Sequence, residues 1–170
     1  MGIASVAKMY DGRAIANFVL DVSESQGREL THLSLQKIVF FCHAWSLTKL
    51  GKPLVKHQFE AWQYGPVLQY LYRDFKSSES SPISHRALKM DPITGKREPV
   101  SYAFDGQTEK LLRDVIGFYG RLRPGTLVEL SHVEGGPWHQ VWNHSEDVNP
   151  GMTISDDAIL DYYSKATTPF

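Results

Sequence analysis

A single cysteine, Cys42, stands among the 170 residues, which excludes an internal disulfide and every cysteine-paired zinc site. One free thiol fits a reducing compartment, so the cytoplasm is the expected location. The sequence also lacks any uninterrupted apolar run near the ~18 residues that a membrane span needs. The stretch Met1 to Lys8 has no charged lead before a long apolar core, so a secretory leader is not expected. Val6 stands where a myristoylation signal wants Ser or Thr. An excess of one charge is missing too: 18 Lys and Arg oppose 19 Asp and Glu, for a formal charge of -1. A nucleic-acid backbone would therefore have to be held by a local patch, and the candidates, Arg121 with Arg123 and Lys96 with Arg97, read as solvated loop charges. No repeat, glycine-rich phosphate cradle, Gly-x-Ser-x-Gly elbow or His-Glu-x-x-His pair is present.

What is present is punctuation. From Ile38 to Trp45 only His43 is strongly polar, so a helix there is apolar almost all round and belongs inside the domain. Thr31 or Ser34 can cap it, and Gly51 followed by Pro53 can end it. The length predicts one domain that removes roughly 70% of the unfolded chain's surface from water without a metal or disulfide. The expectation is a mainly α fold with a minor β element, wrapped around a buried central helix over about residues 34–50.

The neighbouring segments supply the wrapping. Asp11 can cap a first helix whose stripe is Ala14, Ile15, Phe18, Val19 and Val22. Phe59 to Tyr64 reads as a brief strand, and Gly65-Pro66 as the start of a third helix with Val67, Leu68, Leu71, Tyr72 and Phe75 on one face. The tract from Ser77 to Tyr102 breaks the pattern and is expected to be a mobile loop or a β-hairpin turning at Asp91 to Gly95. Asp105 or Thr108 can cap a fourth helix. Thr126-x-x-Glu129 has capping-box spacing, Gly135-Gly136-Pro137 forces a turn, and Ser155 can cap a last helix. Five to seven helices result. The boundaries drawn are 1–10 as an N-terminal tail, 11–165 as the domain with 77–102 as its variable insertion, and 166–170 as a C-terminal tail.

The order of these motifs resembles the Panacea domain, the family of SocA-like antitoxins and GepA-like phage-associated proteins. The matching residues are Leu35 to Lys37, Gly51 to Leu54, Glu60 to Trp62, Gly65 to Val67, Tyr72 to Phe75 and the block Leu130 to Trp138. The resemblance covers roughly Arg13 to Tyr163. It implies a bacterial or phage antitoxin that binds a cognate toxin encoded nearby, and some family members look like adaptors that present the toxin to a protease such as ClpXP. Cys42-His43 departs from the small or amide residues usual at that place, and Ser77 to Val100 matches nothing in the pattern.

Chemistry-bearing residues are few. Cys42 and His43 are adjacent on a helix, so they project about 100° apart and make a poor nucleophile–base couple. His132, Glu134, His139 and His144 straddle the Gly-Gly-Pro turn without metal-ligand spacing; the expectation is that His132 hydrogen-bonds locally to position that turn while His139 and His144 are solvated. No catalytic residue, cofactor or metal is assigned. Aromatic side chains concentrate in the two motif blocks, and the expected partner-binding residues are Trp62, Tyr64, Pro66 and Arg73, because exposed Trp, Tyr and Arg carry much of the energy of protein interfaces. Two rival functions stay open, a helix-turn-helix DNA-binding regulator and a hydrolase built on Cys42 or the histidines.

Overall fold

The computed structural model describes residues 8–142 and 152–170. Its elements, in chain order, are α1 (Gly12–Ser25), α2 (His32–Trp45), β1 (Phe59–Trp62), β2 (Gly65–Val67), α3 (Gln69–Phe75), β3 (Leu88–Met90), β4 (Arg97–Pro99), α4 (Gly106–Tyr119), α5 (Pro124–Ser131), α6 (Pro137–Trp142), β5 (Thr153–Ile154) and α7 (Asp156–Tyr163). The fold is mainly helical with small antiparallel sheets, as the pattern of apolar residues requires.

Helix α2 is the axle. The Thr31 hydroxyl accepts from the Ser34 amide at 3.2 Å and starts it, and every side chain from Ser34 to Trp45 is buried. The rod continues as a π-helical turn over Ser46–Leu50 and stops where Gly51 takes a left-handed φ of 66°, a conformation that costs glycine nothing. The expected buried helix is therefore present, begins two residues earlier, and widens in its final turn. Helices α1, α4, α5 and α7 pack on it. Phe41 stacks on Tyr119 at 4.1 Å, and the Trp45 indole N–H donates to the Tyr119 hydroxyl at 2.9 Å. Each large aromatic side chain buried this way removes a large apolar area from water.

Three more helix starts follow the sequence reading. Asp11, Asp105 and Ser155 accept from the amides of Arg13, Thr108 and Ala158. Two do not. Gly65-Pro66 opens no helix: Gly65, Pro66 and Val67 form strand β2, paired in register with Trp62, Ala61 and Glu60. The helix is delayed to Gln69 because the buried Gln36 amide holds Leu68 extended, donating to its carbonyl at 3.0 Å and accepting from its N–H at 2.9 Å. Pro66 is tolerated in a strand because β2 lies at the edge of the sheet order β2-β1-β5. The capping box at Thr126 is also unused. Helix α5 begins at Pro124, whose missing N–H needs no partner at a first helical position, and this leaves Thr126 inside the first turn.

The insertion after α3 is a hairpin, β3 with β4, paired from Leu88 opposite Pro99 to Met90 opposite Arg97. Its root is fixed by buried Asn17, which accepts from the Ala87 amide at 2.8 Å and donates to the Ala87 and Val100 carbonyls at 3.0 Å. Tyr10, before α1, is buried and donates its amide to the Leu54 carbonyl at 2.7 Å. Phe170 lies edge-on to Trp45 at 5.8 Å.

Candidate partner-binding surface

Lys37 sits on α2 with no solvent exposure. Its ammonium donates to the Pro66 carbonyl at 2.9 Å, so a side chain from the central helix holds strand β2 in place. Among the described residues no carboxylate pairs with it, and desolvation pulls the Lys37 pKa down to about 7. Gly65 makes this packing possible. At φ 111° it lies so close that a Cβ there would stand 2.5 Å from Lys37 Cε and 2.6 Å from Ser131 Oγ. The turn between β1 and β2 is thus pressed onto both α2 and the end of α5.

A run of rings surrounds that turn. His32 meets Tyr72 edge-on at 5.8 Å, and Tyr72 meets Trp62 at 5.0 Å. The Trp138 indole donates to the Trp62 carbonyl at 2.8 Å and stacks on His132 at 3.6 Å and on Trp142 at 5.6 Å. Burial, then the nearby Lys37 charge, lowers the pKa of His32 and of His132, so both imidazoles favour the neutral form. Segments separated by about a hundred residues in sequence therefore converge on one surface. Its outermost rings are Tyr64, 58% exposed, and Trp142, 40% exposed.

The four residues singled out in the sequence divide. Trp62 is half-buried, with its indole N–H given to Glu60 at 2.7 Å. Tyr64 stands exposed on the turn. Pro66 is buried, its carbonyl engaged by Lys37, so it supports the surface from beneath. Arg73 is exposed on α3, away from the turn, in a cleft of about 770 Å³ shared with Asp11, Arg13, His57, Glu60 and Tyr70. The sequence reading missed Lys37, Tyr72, His32 and His132. One signal was available for the first: a lysine directly before the apolar run, at helical spacing from residues expected in the core.

His43 and Cys42 take other roles. The His43 Nδ1 accepts from the amides of Leu54 and Val55 at 3.2 and 3.3 Å, so Nε2 carries the proton and donates to Asp156 at 2.7 Å. Cys42 is fully buried and burial pushes its thiol pKa up, which removes the thiolate a nucleophile needs. The turn at Gly135 is tied by His139, whose Nδ1 accepts from the Gly135 amide at 3.2 Å. This corrects the expectation: His132 stacks on Trp138, and His139 makes the local bond. His144 lies outside the described residues. Among the described residues no three His, Cys, Asp or Glu side chains are grouped closely enough to hold a metal ion.

The model of the SocA-like antitoxin family, Panacea domain, matches residues 35–139, which span α2 through the Trp138 stack. The chain belongs to this family. The antitoxin SocA of Caulobacter vibrioides (strain NA1000 / CB15N) is 35% identical over 154 residues, covering 90% of this chain and 82% of that protein. No solved structure matches. In this Panacea domain the matched blocks, distant in sequence, are the ones that meet around Lys37 and the β1–β2 turn. Among the described residues no helix is long and apolar enough to cross a membrane.

Proposed function

We propose that this Panacea-family antitoxin neutralises a cognate toxin by direct contact with the aromatic surface around the β1–β2 turn. The supporting observation is the convergence of the two motif blocks on a turn braced from below by Lys37 and Trp138, with Tyr64 and Trp142 outermost. Rigid aromatic side chains lose little conformational entropy when a partner covers them, and they dominate interface energies. The toxin is encoded beside this gene, and both act in the cytoplasm.

The test is co-expression with each adjacent gene product, followed by affinity purification of the pair. Rescue of growth together with a stable complex supports the reading. A folded Tyr64→Ala or Trp142→Ala variant that loses the complex assigns the surface. Unimpaired binding by both variants moves the toxin elsewhere, and failure of the unmodified protein to bind or rescue against any neighbour removes the reading. Delivery to a protease such as ClpXP is the finer form of the same function. It requires that purified protease degrade the toxin faster when this protein is added, whereas simple holding leaves the toxin intact.

A further inference from the structure

The cleft that contains Arg73 continues toward the β3–β4 hairpin as a recess of about 460 Å³. Five cations line it, Arg13, Arg73, Arg86, Lys89 and Arg97, against one carboxylate, Asp74. Two of the cations are held rigidly. Arg13 forks onto Asp11 at 2.7 to 3.2 Å and gives its remaining arm to the Leu88 carbonyl. Arg86 is clamped by Asp21 and Glu24. The carboxylates that hold them are outside the recess lining. Arg73, Lys89 and Arg97 have no ion-pair partner among the described residues. Burial also raises the Asp74 pKa, which disfavours the charge of the one acid present.

We infer that this recess, between α3 and the β3–β4 hairpin, binds an acidic segment of a partner protein. The charge arrangement calls for carboxylates: Arg13 and Arg86 are already ion-paired, whereas Arg73, Lys89 and Arg97, without an ion-pair partner among the described residues, line one recess with a single carboxylate beside them, so their charge is open to anionic oxygens. The apolar contribution favours polypeptide over nucleic acid. Leu88 and Met90 line the same recess and are 44% and 57% exposed, which suits side chains of a peptide; the one ring in the lining, His85, already lies against Phe75 at 5.1 Å and gives its Nε2–H to the Asp74 carbonyl at 2.9 Å, so successive bases have no stacking platform. A chain with formal charge -1 also lacks the broad positive field that backbone tracking along a nucleic acid uses. The recess does not include Tyr64, Trp138 or Trp142, so its partner can be held while the aromatic turn is occupied. The inference stands whether or not the aromatic turn takes the toxin.

The test is fluorescence anisotropy with a labelled dodecapeptide of Glu and Leu, its Gln-for-Glu counterpart, and a labelled single-stranded DNA of similar length. Arg73, Lys89 and Arg97 are exposed and unpaired, so Arg73→Ala/Arg97→Ala should keep the wild-type circular dichroism and melting temperature. Saturable binding of the acidic peptide is expected, weakened roughly tenfold or more by the double variant and by the Gln peptide, and unchanged by Lys165→Ala just beyond α7. Absence of saturable binding, equal binding by the double variant, or tighter binding of the DNA would each overturn the inference.

Discussion

The Trp138 indole donates its N–H to the carbonyl oxygen of Trp62 at 2.8 Å, joining residues 76 positions apart. Trp62 is the last residue of β1, so this bond fixes where the sheet ends and the turn begins. Trp138→Phe keeps a ring to stack on His132 but leaves the Trp62 carbonyl without its donor. A loss of about 1–3 kcal/mol is expected in urea unfolding. Trp138→Ala also removes the buried ring and should cost about 3–5 kcal/mol. A Trp138→Phe protein as stable as the wild type would show that the bond contributes nothing beyond packing.

Lys37 gives the protein a particular pH dependence. Its pKa is about 7 when folded and 10.5 in the ordinary state. Between those values the unfolded chain holds the proton and the folded one does not, so stability rises with pH; below about 7 both forms are protonated and the contribution is flat. The slope in that window is about 1.4 kcal/mol per pH unit for one proton. His32 and His132, both lowered from 6.5, titrate below it. Cys42, raised above 9.0, opposes it only at higher pH. Unfolding free energies measured from about pH 7.5 to about pH 8.5 should therefore rise in the wild type and lose that slope in Lys37→Met. Because a buried cation without a counter-ion stabilises poorly, Lys37→Met should fold at least as well near neutral pH. An identical slope in both proteins would mean that Lys37 keeps its charge when folded.

The helical skeleton was legible because its signals are local. Asp11, Thr31, Asp105 and Ser155 each cap through their own side chain, and the apolar run after Lys37, broken only by His43, can only be interior. Strand β2 was not legible, since Gly65-Pro66 is equally good chemistry for a helix start; what decides it is Gln36, 32 residues away, holding Leu68 extended. The unused Thr126 box failed for a nearer reason, because Pro124 starts the helix earlier. At the candidate site Trp62 and Tyr64 could be named from composition. His32 and His132 could not, and Lys37 only from its place directly before the apolar run, because their roles depend on burial and on rings brought in from distant segments.

His43 and Asp156 offer a contrast between buried and exposed ends of one bond. The imidazole is buried and also accepts two backbone amides, whereas the Asp156 side chain is 45% exposed. His43→Phe leaves the Leu54 and Val55 amides unpaired and should cost about 2 kcal/mol or more. Asp156→Asn keeps an acceptor beside water and should cost less than about 1 kcal/mol. Chemical denaturation of both variants checks the ranking, and comparable losses would contradict the burial argument.

The insertion should exchange amide protons unevenly. Its tip, from Asp91 to Lys96, is largely exposed and, among the described residues, its backbone is bonded only within the tip, including to the side chains of Asp91 and Thr94. Ala87 and Val100 are buried and tied to Asn17 or to each other. Exchange measured by mass spectrometry should be fast at the tip and slow at Ala87 and Val100. Uniformly fast exchange across residues 77–100 would instead support a fully mobile loop.

Gly65 ties the stability of the turn to its proposed use. At φ 111° any side chain is strained by about 1–3 kcal/mol, and a Cβ would press on Lys37 and Ser131. Gly65→Ala should therefore be destabilised by more than the backbone strain alone and should disturb the Tyr64 presentation with it. Shortening one obstacle, as in Gly65→Ala/Ser131→Gly, should recover only the Ser131 share of the loss, since the Lys37 contact and the backbone strain remain. Tyr64→Ala, by contrast, removes an exposed ring and should change stability by no more than about 0.5 kcal/mol. Thermal melts of the three variants, run beside toxin co-purification, separate the effects: Tyr64→Ala losing toxin at wild-type stability implicates the ring itself. If Gly65→Ala melts like the wild type, the close packing of Gly65 on Lys37 is not what holds the turn.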